Sequence, residues 1–375
     1  MSKLFDPIQL GDIKAPNRII MAPLTRSRAL RDHVPTKIMA DYYSQRASAG
    51  LIIAEATGIS REGLGFPYAP GIWTIAQIEG WEAVTDAVHR AGGRIMSQLW
   101  HMGRLAHPSF LGGGRAISAS ATVVAGAAFT YEGKQPQEYA RALEISEIPR
   151  LLDDYRAAAE NALKAGFDGV EVHAGNGYLL DQFLRDSSNL RTDAYGGSIE
   201  NRIRLLSEVT AAVIEVAGAG RTAVRFSPNG AILGVNDSDP HALFSAAAKA
   251  VSELGIAFLE IREPPPAEVL SNAAAGALRT VAEVPPVAPA IRAAFKGTLV
   301  LNSDYDQARA EATLESGEAD AISFGRAFIS NPDLPRRMRE NIALSPLDAK
   351  TLYTNGAEGY SDYPFASEAV GAWKI

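Results

Sequence analysis

The 375-residue chain contains no cysteine. That excludes disulfides, thiolate catalysis, cysteine-ligated iron–sulfur clusters and structural zinc of the usual type. No apolar run is long enough to cross a bilayer. The N-terminal MSKLFDPIQLGDIK lacks the apolar core of a signal peptide. A soluble, cytoplasmic protein is expected. The net charge of −7 comes from interleaved acids and bases. With no basic block and no acidic tail, neither nucleic acid nor a membrane surface is an expected partner. The six histidines are scattered without a His-x-His, so no metal centre is expected. No Gly-x-Gly-x-x-Gly follows an early strand, which argues against a Rossmann domain.

What the sequence does contain is alternation. Short apolar strands are expected at Arg18–Met21, Leu51–Ala54, Arg94–Leu99, Gly169–His173, Thr222–Phe226, Ala257–Ile261, Thr298–Leu301 and Ala321–Phe324. Helical periodicity lies between most of them, as at Ile75–Arg90 with Ile78, Trp81, Val84 and Val88 on one face. Eight such units predict a (β/α)8 barrel, read as one domain over residues 1–375. Leu4–Lys14 reads as a hairpin that plugs the bottom of the barrel. Residues 102–145 break the rhythm with Gly112-Gly113-Gly114 and no periodicity, and are expected to cross the active-site face. Asn331-Pro332 is expected to open a helix, and 353–364 to fold back as an ordered loop.

In such a barrel the residues just after the strands share one face. They are Pro23, Leu24 and Thr25; Ala56 and Thr57; Gln98 and Trp100; His173, Asn176 and Tyr178; Arg225; Asn302 and Ser303; Gly325 and Arg326. The stretch VEVHAGNGYLLD at 170–181 stands out, because His173, Asn176 and Tyr178 can all donate hydrogen bonds and Gly175 and Gly177 free the backbone between them. A strand end with ordinary surface polar groups would look similar. Arg225 sits in AVRFS and points either inward or toward a helix. Arg326 after Gly325 suits a phosphate, since barrel phosphate sites use the loops after strands seven and eight; a surface arginine beside a turn glycine is the alternative. A retaining glycosidase would need two neighbouring carboxylates. Glu171 shares the face of His173, but no second acid is evident, so Glu171 is expected to be structural.

Several stretches in order resemble the Old Yellow Enzyme family of FMN-dependent ene-reductases: APNRIIMAPLTR, YYSQRASAGLIIAEAT, QLWHMGR, AGFDGVEVHAGNGYLLDQFL, RTDAYGGSIENR, DAISFGRAFISNPDL and GAEGYSDYP. The resemblance spans nearly the whole chain and looks closest to the N-ethylmaleimide reductase and 2-cyclohexenone reductase branch. It implies FMN as cofactor and NAD(P)H as reductant. Ala22, Pro23, Leu24 and Thr25 would border the flavin ring, Ala56 and Gln98 its polar edge, and Arg225 the region of N1 and O2. Gly325 and Arg326 would hold the phosphate with backbone near Asn302 and Ser303. His173 and Asn176 would bind a substrate carbonyl, Tyr178 would supply a proton, and Phe66, Trp100 and Tyr353 would shape the pocket. The implied reaction is ping-pong reduction of the activated C=C bond of enones, enals and maleimides. The alternatives are a related flavoprotein acting mainly on nitro compounds or nitrate esters, and a barrel that binds ligand without chemistry.

Overall fold

The computed structural model describes residues 2–229, 233–264 and 285–366. Eight parallel strands close a barrel: Ile19–Met21, Leu51–Gly58, Ile95–Trp100, Gly169–His173, Thr222–Phe226, Phe258–Arg262, Thr298–Asn302 and Ala321–Phe324, termed first to eighth below. The eighth pairs with the first through Ile322 opposite Ile19, which completes the ring. This is the (β/α)8 architecture expected from the alternation.

Strand parity sorts the core into two. Outward residues such as Val170, Val172, Val224, Leu259, Leu299 and Ile322 pack against the helices in one large apolar cluster. Inward residues toward the strand starts, among them Ile20, Ile53, Met96, Ala223, Phe258, Val300 and Ala321, form a second cluster. The antiparallel hairpin of Ile8–Leu10 and Ile13–Ala15 adds Leu10, Ile13 and Ala15 to it. Closing that end this way removes the inward faces from water.

The helices start where the chemistry of their ends says they should. Before Ile75–Arg90, Thr74 Oγ1 accepts from the Gln77 amide and Gln77 Oε1 accepts from the Thr74 amide, a reciprocal cap. Asp239 caps Pro240–Glu253 in the same spirit, with proline at the first helical position. Two short helices run against expectation. Leu179–Leu184 begins directly after Tyr178, and Arg326–Ser330 begins directly after Gly325. Asn331-Pro332 therefore lies between two helices, ahead of Leu334–Arg339, and does not open one itself. The proline-rich stretch after Pro264 falls mostly outside the described residues.

The excursion after the third strand contains a hairpin, Ala127–Thr130 with Gly133–Pro136. Its Tyr131 hydroxyl donates to the Arg31 carbonyl, and Phe129 lies 6.1 Å from Phe66, ring centroid to centroid. The C-terminal loop is tied down by arginines from the first strand's end. Arg26 donates to the carbonyls of Leu352 and Gly359, and Arg28 to those of Thr351, Leu352 and Glu358. Stacking of Tyr42 on Tyr360 at 4.0 Å seals that contact. No described helix is long and apolar enough to cross a membrane.

Candidate active site

Above the apolar end, the inward faces turn polar. Gln98, Glu171, Arg225, Glu260, Asn302 and Ser323 come from the third to the eighth strands and form one buried hydrogen-bonded layer. Arg225 thus points inward, which resolves the choice its sequence left open. Its Nη1 pairs with Glu260 Oε2 at 3.0 Å and its Nη2 donates to Asn302 Oδ1 at 2.9 Å. Asn302 Nδ2 in turn donates to the Ser323 carbonyl. The Asn302 side chain is therefore committed to the protein.

Glu260 corrects one expectation. A second buried acid does accompany Glu171, on the sixth strand. The glycosidase reading fails for a different reason: both carboxyls are fully buried and tied to Gln98, Ser323 and Arg225. The signal was present as Phe258, Glu260 and Arg262 at period two, charges on the inward face of a strand.

The second strand needs a device to present a small residue. Its pairing with the third shifts register between Ile53 and Ala56. Strict alternation from Ile53 would turn Glu55 inward; the irregularity places Ala56 opposite Gln98 instead. Glu55 goes to a buried site, where it accepts from the Tyr43 hydroxyl and the Arg26 amide. Burial raises its pKa to about 7, against the lowering effect of those hydrogen bonds and the nearby arginines.

Past the fourth strand the chain makes a tight turn. Gly175 is required for close approach: a Cβ there would lie 2.8 Å from the Ser227 amide nitrogen and Oγ. The left-handed positions are Asn176 (φ 56°) and Gly177 (φ 77°), and asparagine is the side chain that tolerates this backbone best. A buried scaffold holds the turn. The Gly177 amide donates to Asp181 Oδ2, Asp181 pairs with Arg185 at 2.8 Å, and Arg185 donates to the Ser227 and Pro228 carbonyls. Gln182 donates to the carbonyls of Gly177 and Met102. These supports were not singled out from the sequence, although polar residues within the apolar run LLDQFLR are a recognisable sign.

As a result His173 Nε2 and Asn176 Nδ2 stand 3.5 Å apart. The Tyr178 ring lies edge-on to His173 at 5.1 Å and to Trp100 at 5.0 Å. Arg262 Nη1 donates to Asn176 Oδ1 at 3.4 Å, a neighbour that sequence reasoning missed. Burial, then the charges of Arg225 and Arg262, hold the His173 pKa well below its ordinary value, so the imidazole is neutral. Burial raises that of Tyr178, so the phenol keeps its proton. The Arg262 pKa falls to about 10 through burial and the Arg225 charge, leaving it a cation at neutral pH. Phe66 stands 6.2 Å from Tyr353, both near the mouth; Tyr353 is 58% exposed.

Pro23, Leu24 and Thr25 form a half-buried strip after the first strand, with Ala22 buried behind them. A Cβ at Gly325 would meet nothing closer than Leu24 Cδ2 at 3.5 Å, which leaves room at the end of the eighth strand. Arg326 forms an ion pair with Asp304, so it reaches a phosphate only by sharing or releasing that partner. Ser303 Oγ donates to the Pro264 carbonyl. Among the described residues, Arg225 Nε, Trp100 Nε1 and His173 Nδ1 are buried without a hydrogen-bond partner. Unspent polar atoms at the ends of the third to fifth strands, with a small, half-buried strip after the first, suit a flat heteroaromatic group with a polar edge, and FMN fits that description. No group of described acids and histidines could hold a metal ion.

Barrel and site together define a cofactor-dependent oxidoreductase of the (β/α)8 class. Residues 3–345 match the NADH:flavin oxidoreductase / NADH oxidase family, and the chain belongs to it. Its structure resembles the old yellow enzyme homologue from Zymomonas mobilis, with a TM-score of 0.91 and 58% identity over 96% of this chain and 99% of that one. Morphinone reductase in complex with tetrahydroNAD gives a TM-score of 0.88 and 45% identity over 96% and 97%. The chanoclavine-I aldehyde reductase of Penicillium roqueforti is 44% identical over 98% of each chain. The protein is thus an FMN-dependent NAD(P)H oxidoreductase of the Old Yellow Enzyme family.

Proposed function

We propose that this enzyme reduces the activated C=C bond of α,β-unsaturated carbonyl compounds. The observation that carries the reading is the His173–Asn176 pair, two donors 3.5 Å apart, with the Tyr178 phenol beside them. A carbonyl oxygen placed between the two donors would be held by both, and charge that builds on it would be stabilised as in an oxyanion hole. Neutral His173 donates without losing its proton. Arg262 holds Asn176 Oδ1, which directs Nδ2 toward the substrate. Tyr178, protonated by virtue of its burial, is placed to deliver a proton to the α-carbon. Trp100 and Phe66 bound the space beside it, with Tyr353 at the rim.

When bound, FMN would supply the hydride chemistry that links NAD(P)H to the substrate's β-carbon. Ala22, Pro23, Leu24 and Thr25 would hold one side of the ring. Ala56, Gln98 and Arg225 would hold its polar edge. Gly325 and Arg326, with the backbone of Asn302 and Ser303, would hold the phosphate. Successive use of one pocket by nicotinamide and substrate gives ping-pong kinetics. The threonine at 25 supports placement in the N-ethylmaleimide reductase and 2-cyclohexenone reductase branch.

The test is optical. The FMN-loaded protein should bleach with NADH or NADPH under anaerobic conditions and recover its visible spectrum with 2-cyclohexenone. Recovery with nitro compounds or nitrate esters alone would replace this substrate class by the second one. Bleaching with no recovery by either would reject both substrate classes; no bleaching at all would leave a binding barrel.

A further inference from the structure

The buried layer contains more acid than its single arginine can neutralise. Glu171 Oε1 accepts from Gln98 Nε2 at 2.7 Å. Glu260 accepts from Ser323 Oγ through Oε1 and pairs with Arg225 Nη1 through Oε2. The two carboxyls are within hydrogen-bonding reach of each other. Yet Oε2 of Glu171 and Oε2 of Glu260 are both buried without a hydrogen bond. Two carboxylates in contact, away from water and sharing one cation, would leave an uncompensated buried charge, which is costly. A single proton between them removes the excess charge and gives the orphaned Glu171 Oε2 a partner, while Glu260 Oε2 keeps its ion pair with Arg225.

We propose that Glu171 is a carboxylic acid in the working enzyme, its proton donated from Oε2 to Glu260, and that this acid positions Gln98 and Arg225 at the ring site. The groups facing it are Gln98 from the third strand, Arg225 from the fifth and Glu260 from the sixth, with His173 one step along its own strand. Burial and the Glu260 charge raise the Glu171 pKa, outweighing Arg225 and the Gln98 hydrogen bond. With the proton on Oε2, Oε1 acts only as an acceptor. The Gln98 amide must then turn Nε2 to it, leaving its Oε1 for the cofactor. The acid–carboxylate–guanidinium chain is neutral overall, so Arg225 keeps one counter-ion and not two. This consequence for the ring rests on the cofactor placement proposed above; the proton itself does not.

The test uses infrared spectroscopy of the FMN-loaded protein. Glu55 also titrates high, at about 7. Spectra are therefore taken near pH 9, where a group of that pKa is about 99% ionised. The wild type should keep a carboxylic-acid C=O band that shifts in D2O and disappears in Glu171→Gln. The glutamine can accept from Gln98 and donate to Glu260 as the acid does. FMN affinity should therefore stay within roughly threefold, whereas Glu171→Ala, which leaves Glu260 without its donor, should lose on the order of tenfold or more. A wild-type spectrum without such a band would overturn the proposal, and would do so even if neither variant folded. A band that survives in Glu171→Gln would overturn it as well, as would a glutamine no better than alanine. None of these readouts involves an enone, so failure here is distinguishable from failure of the substrate assignment.

Discussion

The two ends of the barrel interior are built on the same inward parity and do opposite work. Toward the strand starts, Ile20, Ile53, Met96, Phe258 and Val300 pack on the N-terminal hairpin with no polar side chain among them. One step further along the inward faces of the third to sixth strands stand Gln98, Glu171, Arg225 and Glu260, all buried and all carrying polar or charged groups. Between Ala223 and Arg225, or Phe258 and Glu260, the chain advances only two residues. The apolar end gains stability from each side chain through removal from water. The polar end carries a desolvation cost for each group it buries, and tolerates that cost where a ligand uses the field it creates.

The two ends should fail differently. Arg225→Met should cause the largest, because removing one partner of a buried pair costs about 3–5 kcal/mol. FMN binding should be lost with it. Denaturant unfolding measures the stability loss, and the bound-flavin spectrum measures the loss of binding. Met96→Ala, at the other end, should cost about 2–5 kcal/mol by leaving a cavity. That cost should be independent of pH, and the folded fraction should still bind FMN. Loss of FMN binding by folded Met96→Ala protein would erase the distinction between the two ends.

How much of this was legible depended on whether neighbours in space were also neighbours in sequence. The barrel was legible because eight apolar runs and the helices between them repeat along the chain. The fourth strand and its HAGNGY turn were legible because three donors lie within six residues. Arg225 was visible as a charge in an apolar strand, but its direction was undecided, since either parity gives a reasonable strand. The second strand would have misled a strict alternation rule, for its register shift is set by pairing with the third. Glu260 and Arg262 went unrecognised because their partners, Arg225 and Asn176, lie 35 and 86 residues away. Glu171 and Glu260 likewise come from separate strands, the fourth and the sixth, so the partner of Glu171 could only be found in three dimensions.

Smaller effects sharpen the contrast at the rim of the polar end. His101 is buried just past the third strand, and its Nδ1 accepts from the Gly103 amide. Burial, followed by the Arg150 charge, lowers its pKa to about 3. A base depressed in the folded state contributes stability above its unfolded pKa and loses it as pH falls toward the folded one. Stability should therefore decline as pH drops from about 6.5 toward 3, by at most about 1.4 kcal/mol per pH unit from this group. In His101→Gln that part of the slope should vanish from the pH profile of urea midpoints; an unchanged slope would assign it elsewhere. Smallest of all, Ser227→Ala removes the hydroxyl that accepts from the Asn176 amide. It should cost about 1 kcal/mol and raise KM for the enone more than it lowers the rate of flavin reduction.

On the proposed reading, Tyr178 supplies the proton while His173 and Asn176 hold the carbonyl. Anaerobic stopped-flow of the two half-reactions in Tyr178→Phe tests it most directly. Reduction of the bound flavin by nicotinamide should proceed at close to the wild-type rate. Its reoxidation by 2-cyclohexenone should slow by on the order of 10²–10⁴-fold, the usual contribution of a positioned general acid. Equal rates in both half-reactions for the variant and the wild type would contradict the assignment.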